Sequence, residues 1–282
     1  MKITDFKKDF VERLEKEFPR EEVQSFFNIL AEAFLGMTRL QIALEPEKEL
    51  SGAKLQQLQE ALHRLEQHEP VQYITGETEF FGLKFRLNRN LLIPRPETEE
   101  LVEWILEDLG NTENSKLKIL DIGTGSGCIA VALAKNLPEA QITAWDISEA
   151  ALVTAKENAQ LNAVKVNIER VDILQVDEIE ENFDIIVSNP PYVRELEKQE
   201  MHRNVLNFEP AGALYVKDLD PLVFYRKICE LAASNSTTAG VYFEINQYLG
   251  LETKALLEDK NFQSTLKKDI FGADRMLRGR KP

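Results

Sequence analysis

The sequence predicts an α/β protein: a doubly wound, mostly parallel sheet, preceded by a small all-α domain and joined to it by a β-hairpin linker. Three observations predict it. From residue 117 onward, short apolar β-branched stretches alternate with longer amphipathic ones, the pattern of strand–helix–strand units. Before residue 71 the apolar residues recur instead at helical spacing. Between the two, residues 72–93 are rich in aromatic and β-branched residues, broken by Gly76 and Gly82. The predicted boundaries are therefore 1–71, 72–93 and 94–282.

Each element follows from its residues. Phe6, Phe10, Val11, Leu14 and Phe18 share one helical face, and Pro19 closes that segment. Residues 26–35 form a second helix ending at Gly36, and 37–44 a third, short one. Over 51–67, Ser51 is the predicted N-cap, and Leu55, Leu58, Leu62 and Leu65 make an apolar stripe opposite a face of Gln, Glu, Lys and Arg. These helices carry no catalytic signature. Residues 72–93 read as one or two short hairpins. Residues 93–99 (Ile-Pro-Arg-Pro-Glu-Thr-Glu) are a rigid entry into a helix bearing Leu101, Val102, Trp104, Ile105 and Leu109, with a loop at 110–115. Strands follow at 117–122, 141–145, 167–171, 183–188 and 241–245, helices at 126–136, 149–162, 221–233 and 249–260. A final strand pair is predicted within 264–280, around Phe271-Gly272-Ala273-Asp274.

Composition excludes several classes of function. The chain has 34 Lys+Arg against 48 Asp+Glu, a net charge of −14. Gripping a phosphate backbone depends on Lys and Arg, so nucleic-acid binding is disfavoured, whereas a basic protein partner is not. Two cysteines, Cys128 and Cys229, are too few for a disulfide framework and lack metal-ligand spacing. Three histidines (His63, His68, His202) weigh against a His-based hydrolase. The N-terminus lacks the apolar core of a signal peptide, and no apolar run approaches the roughly 20 residues that span a bilayer. The expectation is a cytoplasmic monomer without metal, membrane or direct nucleic-acid contact.

The segment Asp121-Ile122-Gly123-Thr124-Gly125-Ser126-Gly127-Cys128 joins the first strand of the sheet to a helix. Its glycines allow close backbone approach to a ligand. A dinucleotide fingerprint needs glycine at 128, where Cys128 stands, and a Walker loop needs Gly-Lys-Ser/Thr. The form Asp-x-Gly-x-Gly-x-Gly resembles instead the first motif of class I S-adenosylmethionine-dependent methyltransferases. Asp146 ends the next strand, where a carboxylate can accept from both ribose hydroxyls. Asp172, after the third strand and followed by Ile173, is placed to meet the adenine amino group. The cofactor-binding set is thus Gly123, Thr124, Gly125, Ser126, Gly127, Asp146, Asp172, Ile173 and Asn189.

The fourth strand runs into Asn189-Pro190-Pro191-Tyr192. Methylating a planar nitrogen is hard because its lone pair is delocalised. Two acceptors aimed at its N–H bonds pull it toward tetrahedral geometry and stabilise the developing positive charge. The Asn189 side-chain oxygen and the Pro190 carbonyl are the candidate acceptors, the consecutive prolines fixing the backbone between them. Tyr192 is expected to pack flat against the target group. Asn189, Pro190 and Tyr192 are the candidate catalytic residues, and with Pro191 they form the candidate substrate site.

The tetrapeptide suits nucleobase amines and the side-chain amide of glutamine alike. Three further segments bear on the choice: Glu69-Pro70-Val71-Gln72-Tyr73-Ile74-Thr75-Gly76, Phe81-Gly82-Leu83, and Ile93-Pro94-Arg95-Pro96-Glu97-Thr98-Glu99-Glu100-Leu101-Val102. With Phe208-Glu209-Pro210 and Gly272-Ala273-Asp274-Arg275, they resemble the signature of the peptide chain release factor glutamine N5-methyltransferase family (the PrmC/HemK type), across essentially the whole chain. The resemblance implies a class I methyltransferase fold, with S-adenosylmethionine as donor and S-adenosylhomocysteine as product. It implies as substrate the glutamine of the Gly-Gly-Gln motif of bacterial class 1 release factors. It also implies that the helical domain docks the release factor, and that the segment containing Glu97 and Thr98 lines the cleft near the methionine end of the cofactor. One departure is visible: Asn246 stands where the family often has glycine, and Asn tolerates the left-handed turn better than most residues. An adenine-N6 methyltransferase acting on DNA or RNA fits the tetrapeptide and glycine loop equally well, and the −14 charge counts against it. A non-catalytic cofactor-fold module has no need of two converging acceptors.

Overall fold

The computed structural model describes residues 1–110 and 117–282, so the loop expected at 110–115 lies, beyond Gly110, outside the described residues. The chain divides into two compact units, Met1–Glu77 with His202–Phe208, and Thr78–Met201 with Glu209–Pro282.

The first unit is helical: α1 (Ile3–Leu14), α2 (Arg20–Leu35), α3 (Arg39–Leu44), α4 (Gly52–Glu66) and α5 (Val71–Thr75). Its core gathers Phe6, Phe10, Phe27, Leu30, Leu58, Leu62 and Leu65. Phe10 and Phe27 meet edge to face with centroids 5.6 Å apart. Two helices start elsewhere than their apolar pattern suggests. α2 begins six residues before Phe26, at Arg20, because Pro19 supplies an extended N-cap and Glu21 and Glu22 favour its first turn. α3 begins at Arg39 because Thr38 forms a capping box with Gln41. Ser51 caps α4 as predicted, accepting from the Lys54 N–H. Residues 72–75 are helical, a correction to the predicted hairpin: Pro70 caps α5, and Gly76, at φ 76°, ends it. The buried Glu69 accepts Arg64 Nε at 2.7 Å and Nη2 at 2.6 Å, while Nη2 also donates to the Tyr73 carbonyl, fastening α5 to the end of α4.

The second unit opens with a hairpin, β1 (Glu77–Phe80) and β2 (Leu83–Arg86). Phe81 (φ 52°) and Gly82 (φ 70°) give it the turn that matches strand twist. Residues 87–93 add no second hairpin; Leu87, Leu91 and Ile93 are buried without strand pairing. The hairpin is anchored by Glu99, which accepts the Phe81 N–H at 2.6 Å, and by Asn158, which bonds both N–H and C=O of Arg86.

After α6 (Pro96–Leu109), strand and helix alternate: β3 (Lys118–Ile122), α7 (Cys128–Asn136), β4 (Gln141–Asp146), α8 (Glu149–Leu161), β5 (Asn167–Arg170), β6 (Ile185–Ser188). A long excursion follows, with β7 (Val193–Arg194), a 3-10 turn, α9 (Arg203–Phe208, part of the first unit), α10 (Ala211–Leu214) and β8 (Tyr215–Val216). The chain ends through α11 (Val223–Ser234), β9 (Gly240–Glu244), α12 (Gly250–Glu258), β10 (Gln263–Lys268) and β11 (Asp274–Arg280). The main sheet has the order β10-β11-β9-β6-β3-β4-β5. The strands from β9 across to β5 pair in parallel, and β11 is antiparallel to both neighbours. Successive strand residues feed opposite layers. Ile119, Ile185 and Val187 pack with Leu101, Ile105 and Leu133, whereas Leu120, Ile186 and Phe243 pack with Ile228, Leu231 and Leu257. From β3 the chain proceeds outward to β4 and β5, then returns to β6 on the other side. The order therefore reverses beside β3, and the crevice at the carboxyl ends of β3, β4 and β6 is where such a sheet binds ligands.

Candidate active site

A cavity of about 500 Å³ opens at those carboxyl ends. This lies within the range of small-molecule sites. Gly123, Gly125, Asp146, Asp172, Ile173, Asn189, Pro190 and Pro191 are on its wall, as are Leu91, Trp145, Ile147, Val171, Phe224 and Ile228. Thr124, Ser126, Gly127 and Tyr192 are not.

The glycine loop is fastened to the end of β4. The Trp145 carbonyl accepts Gly123 N–H at 2.8 Å and Thr124 N–H at 3.0 Å, and Asp146 Oδ2 accepts Gly125 N–H at 2.8 Å. Gly125, at φ 56°, has open space where a Cβ would stand. Gly127, at φ 81°, caps α7 so close to α8 that a Cβ would lie 3.1 Å from Ala155 Cβ. That approach leaves no room for a side chain. Thr124 is turned toward Asp121, donating to Oδ2 at 2.6 Å, and the Ser126 carbonyl accepts Asn158 Nδ2. Burial pushes the Asp121 carboxyl up to about 7, against the opposing Thr124 hydrogen bond.

Asp146 is half-buried. Its Oδ1 accepts Ser148 N–H at 2.8 Å, so each oxygen holds one backbone donor and keeps capacity for another. Asp172 accepts Leu174 N–H at 3.0 Å, which holds its side chain at the cavity wall. Asn90, Leu91, Leu92, Pro210, Gly212 and Ala213 line the same space. Buried Glu209 ties these segments together, accepting from Arg95 and from Ile93 N–H. Burial raises its pKa, and the Arg95 guanidinium opposes the shift.

The Asn-Pro-Pro-Tyr segment leaves the end of β6, where Ser188 Oγ donates to the Ile122 carbonyl at 2.7 Å. Asn189 Nδ2 donates to Glu244 Oε2 at 2.9 Å and to Thr98 Oγ1 at 3.2 Å. The nitrogen end of the amide is therefore engaged by Glu244 and Thr98, and Oδ1 is the polar atom Asn189 offers to the cavity. The Pro190 carbonyl accepts no hydrogen bond among the described residues. Tyr192 donates to Glu244 Oε1 at 2.9 Å, and its ring packs against the layer containing Ile228 and Phe243. Burial raises the Tyr192 pKa well above its ordinary value, so the phenol stays a donor. Arg275, braced by Asp269, reaches Tyr192 Oη at 3.5 Å.

Residues 101–213 match the methyltransferase small domain family, and residues 8–76 match the PrmC N-terminal domain. The chain is 54% identical to the release factor glutamine methyltransferase of Flavobacterium psychrophilum, over 99% of each chain. It is 45% identical to that of Bacteroides thetaiotaomicron, over 92% of this chain and 93% of the relative. The chain belongs to the release factor glutamine methyltransferase family. A methyltransferase from Pyrococcus furiosus, at 19% identity, shares the fold with a TM-score of 0.52 over 72% of this chain and 90% of that one. Membership makes this an S-adenosylmethionine-dependent enzyme, and the cavity suits that cofactor: glycine backbone, a half-buried carboxylate with spare acceptor capacity, and apolar walls.

Sequence reasoning on this methyltransferase missed Glu244 and gave Asn246 a different local role. Glu244 is buried at the end of β9 and binds Thr98, Asn189 and Tyr192 at once. A Glu closing an apolar strand flags a buried carboxylate, though not its partners. Asn246 does not take the left-handed turn expected of it; no positive φ occurs there. Instead its buried Nδ2 donates to the Tyr192 carbonyl and Glu197 Oε2, while Oδ1 accepts Tyr248 N–H. It braces the backbone that follows the tetrapeptide. Among the described residues no group of His, Cys, Asp and Glu could hold a metal, and no helix is long and apolar enough to cross a membrane.

Proposed function

We propose that this enzyme methylates the side-chain amide nitrogen of the glutamine in the Gly-Gly-Gln motif of class 1 peptide chain release factors, in the cytoplasm. One observation carries the reading: Asn189 has the nitrogen end of its amide bonded inward, so an oxygen acceptor stands next to the Pro190 carbonyl at the cavity wall. When bound, S-adenosylmethionine supplies an electrophilic methyl group. Asp146 holds the ribose hydroxyls, Asp172 and Ile173 meet the adenine, and the loop from Gly123 to Gly127 receives the rest.

Asn189 Oδ1 and the Pro190 carbonyl accept the two N–H bonds of the glutamine amide. They orient its nitrogen and stabilise the positive charge that grows as amide conjugation is lost. No base is required in the transfer, because the N–H acidity rises only once the nitrogen has become cationic. Pro191 fixes the backbone, and Tyr192 acts from behind the tetrapeptide through Glu244. Residues 94–282 perform the transfer, the segment 78–93 with its hairpin forms the linker, and residues 1–77 of the helical unit dock the release factor.

The test is mass spectrometry of a purified release factor after incubation with the enzyme and labelled S-adenosylmethionine. A methyl group on the Gly-Gly-Gln glutamine is the expected result; label found only in added nucleic acid overturns the reading.

A further inference from the structure

We propose that Glu244 is the positioning residue that decides which end of the Asn189 amide faces the substrate. The inference rests on the reading that Asn189 accepts a hydrogen bond from the target amide, and it answers a question that reading leaves open. A carboxamide is ambivalent: one end accepts, the other donates. A rotation of the terminal amide would present two donors to the two N–H bonds of the target.

The fold prevents that rotation. β6 and β9 are parallel neighbours with Ser188 opposite Phe243, so Asn189 and Glu244 follow side by side. An ionised carboxylate only accepts. Glu244 Oε2 accepts the Thr98 hydroxyl at 2.5 Å and Asn189 Nδ2 at 2.9 Å, while Oε1 accepts the Tyr192 hydroxyl at 2.9 Å. Since the single Thr98 hydroxyl hydrogen goes to Glu244, Thr98 Oγ1 must accept at its 3.2 Å contact with Asn189 Nδ2. The direction of each hydrogen bond in the cluster is thereby assigned. A rotated Asn189 would set two oxygens against each other with no hydrogen between them.

The charged and titratable groups around Glu244 are Glu97 from α6, Cys128 from α7, Arg275 from β11, and Tyr192 and Tyr225, the last of which donates its hydroxyl to the Glu244 carbonyl. Burial raises the Glu244 carboxyl above its ordinary range. Thr98, Tyr192 and Arg275 oppose the shift, and Glu97 adds to it. A protonated Glu244 becomes a donor and releases the lock, so kcat falls as pH drops through that raised value.

Three variants test the assignment: Glu244→Gln, Asn189→Asp and the double variant, assayed by methyl transfer to a purified release factor. In Glu244→Gln the new amide can keep its oxygen toward Asn189 only by aiming its hydrogens at the Tyr192 hydroxyl, which Arg275 already approaches. The substitution is near-isosteric, and the variant is expected to bind S-adenosylmethionine with a Kd within about threefold of wild type, with KM for the release factor similarly unchanged. Its kcat is expected to fall roughly tenfold or more, and its acid limb to disappear. Asn189→Asp alone sets two carboxylates together and also loses kcat. In the double variant the introduced amide meets one oxygen of the introduced carboxylate and leaves the other for substrate, so it is expected to turn over faster than either single variant. A Glu244→Gln enzyme with wild-type kcat and its acid limb intact overturns the proposal, as does a double variant whose losses simply multiply. A wild-type enzyme that leaves the glutamine unmethylated overturns the underlying function as well, which separates the two failures.

Discussion

Asp146→Ala tests the proposed ribose carboxylate. In the structure the Asp146 oxygens hold Gly125 N–H and Ser148 N–H at 2.8 Å each, with lone pairs left on the cavity side. Two ribose hydroxyls donating into a charged acceptor contribute about 1.5–3 kcal/mol each. Asp146 is half-buried, and water can reach the Gly125 N–H once the carboxylate is gone, so the lower end of that range applies. The loss is then about 3 kcal/mol, or about two decades in Kd for S-adenosylmethionine. Isothermal titration calorimetry measures it directly. A ligand lacking both ribose hydroxyls separates direct contact from loop distortion. It should bind wild type about two decades more weakly than the parent, and bind the variant no more weakly than the parent does. An Asp146→Ala Kd within about threefold of wild type would refute the ribose role, as would an undiminished penalty for the missing hydroxyls in the variant.

Three further outcomes follow from other parts of the fold. Asn189→Ala should lower kcat by roughly 10²–10³ while sparing cofactor affinity, the scale for losing one transition-state partner; unchanged turnover in the release-factor assay would remove the proposed mechanism. Gly127→Ala forces an L residue to φ 81° against Ala155 and should destabilise the second unit by about 2 kcal/mol, read as a lower denaturant midpoint by near-ultraviolet dichroism; an unshifted midpoint would show that the α7–α8 contact yields. Removing residues 1–70 should leave S-adenosylmethionine binding intact, because the core of each unit is drawn from its own residues, and should lower kcat/KM on intact release factor; full activity there would assign the helices another purpose.

Local patterns made the sheet legible. Each inner strand is a short apolar run bounded by glycine, proline or a loop carboxylate, and each crossing helix carries its own stripe. The ends were legible only where a cap sits in sequence. Ser51 announces α4, but the start of α2 depends on Pro19 and two glutamates that share no periodicity with the apolar face. Residues 72–75 look like strand because Tyr73 and Ile74 favour it, yet the Arg64–Glu69 pair and Pro70 select a helical turn. The cavity wall was legible for Gly123, Gly125, Asp146, Asp172 and Asn189, which lie at strand ends where ligands gather. Glu244 and Asn246 escaped because their roles depend on which strands become neighbours. Nothing in the segments around 98, 189 and 244 reveals that they converge until β9 pairs with β6.

That convergence explains why the tetrapeptide alone is an incomplete description of the site. The backbone carbonyl of Pro190 can be nothing but an acceptor, whereas the amide of Asn189 can be either. An environment must break the symmetry, and a hydroxyl cannot do it alone, because it too both donates and accepts. Only a group without hydrogens to give, held ionised in a buried position, fixes the direction of the whole chain of bonds. Glu244 is proposed as that group, and keeping it charged costs desolvation, which the donors of Thr98 and Tyr192 and the nearby Arg275 oppose without cancelling. Asp146 faces the opposite situation. Half-buried and fastened to backbone N–H groups, it is set to receive donors from a ligand. On the proposed reading, the same side-chain chemistry does two jobs at the carboxyl end of one sheet: Asp146 receives the cofactor, and Glu244, hidden behind Asn189, sets the polarity with which the substrate is met.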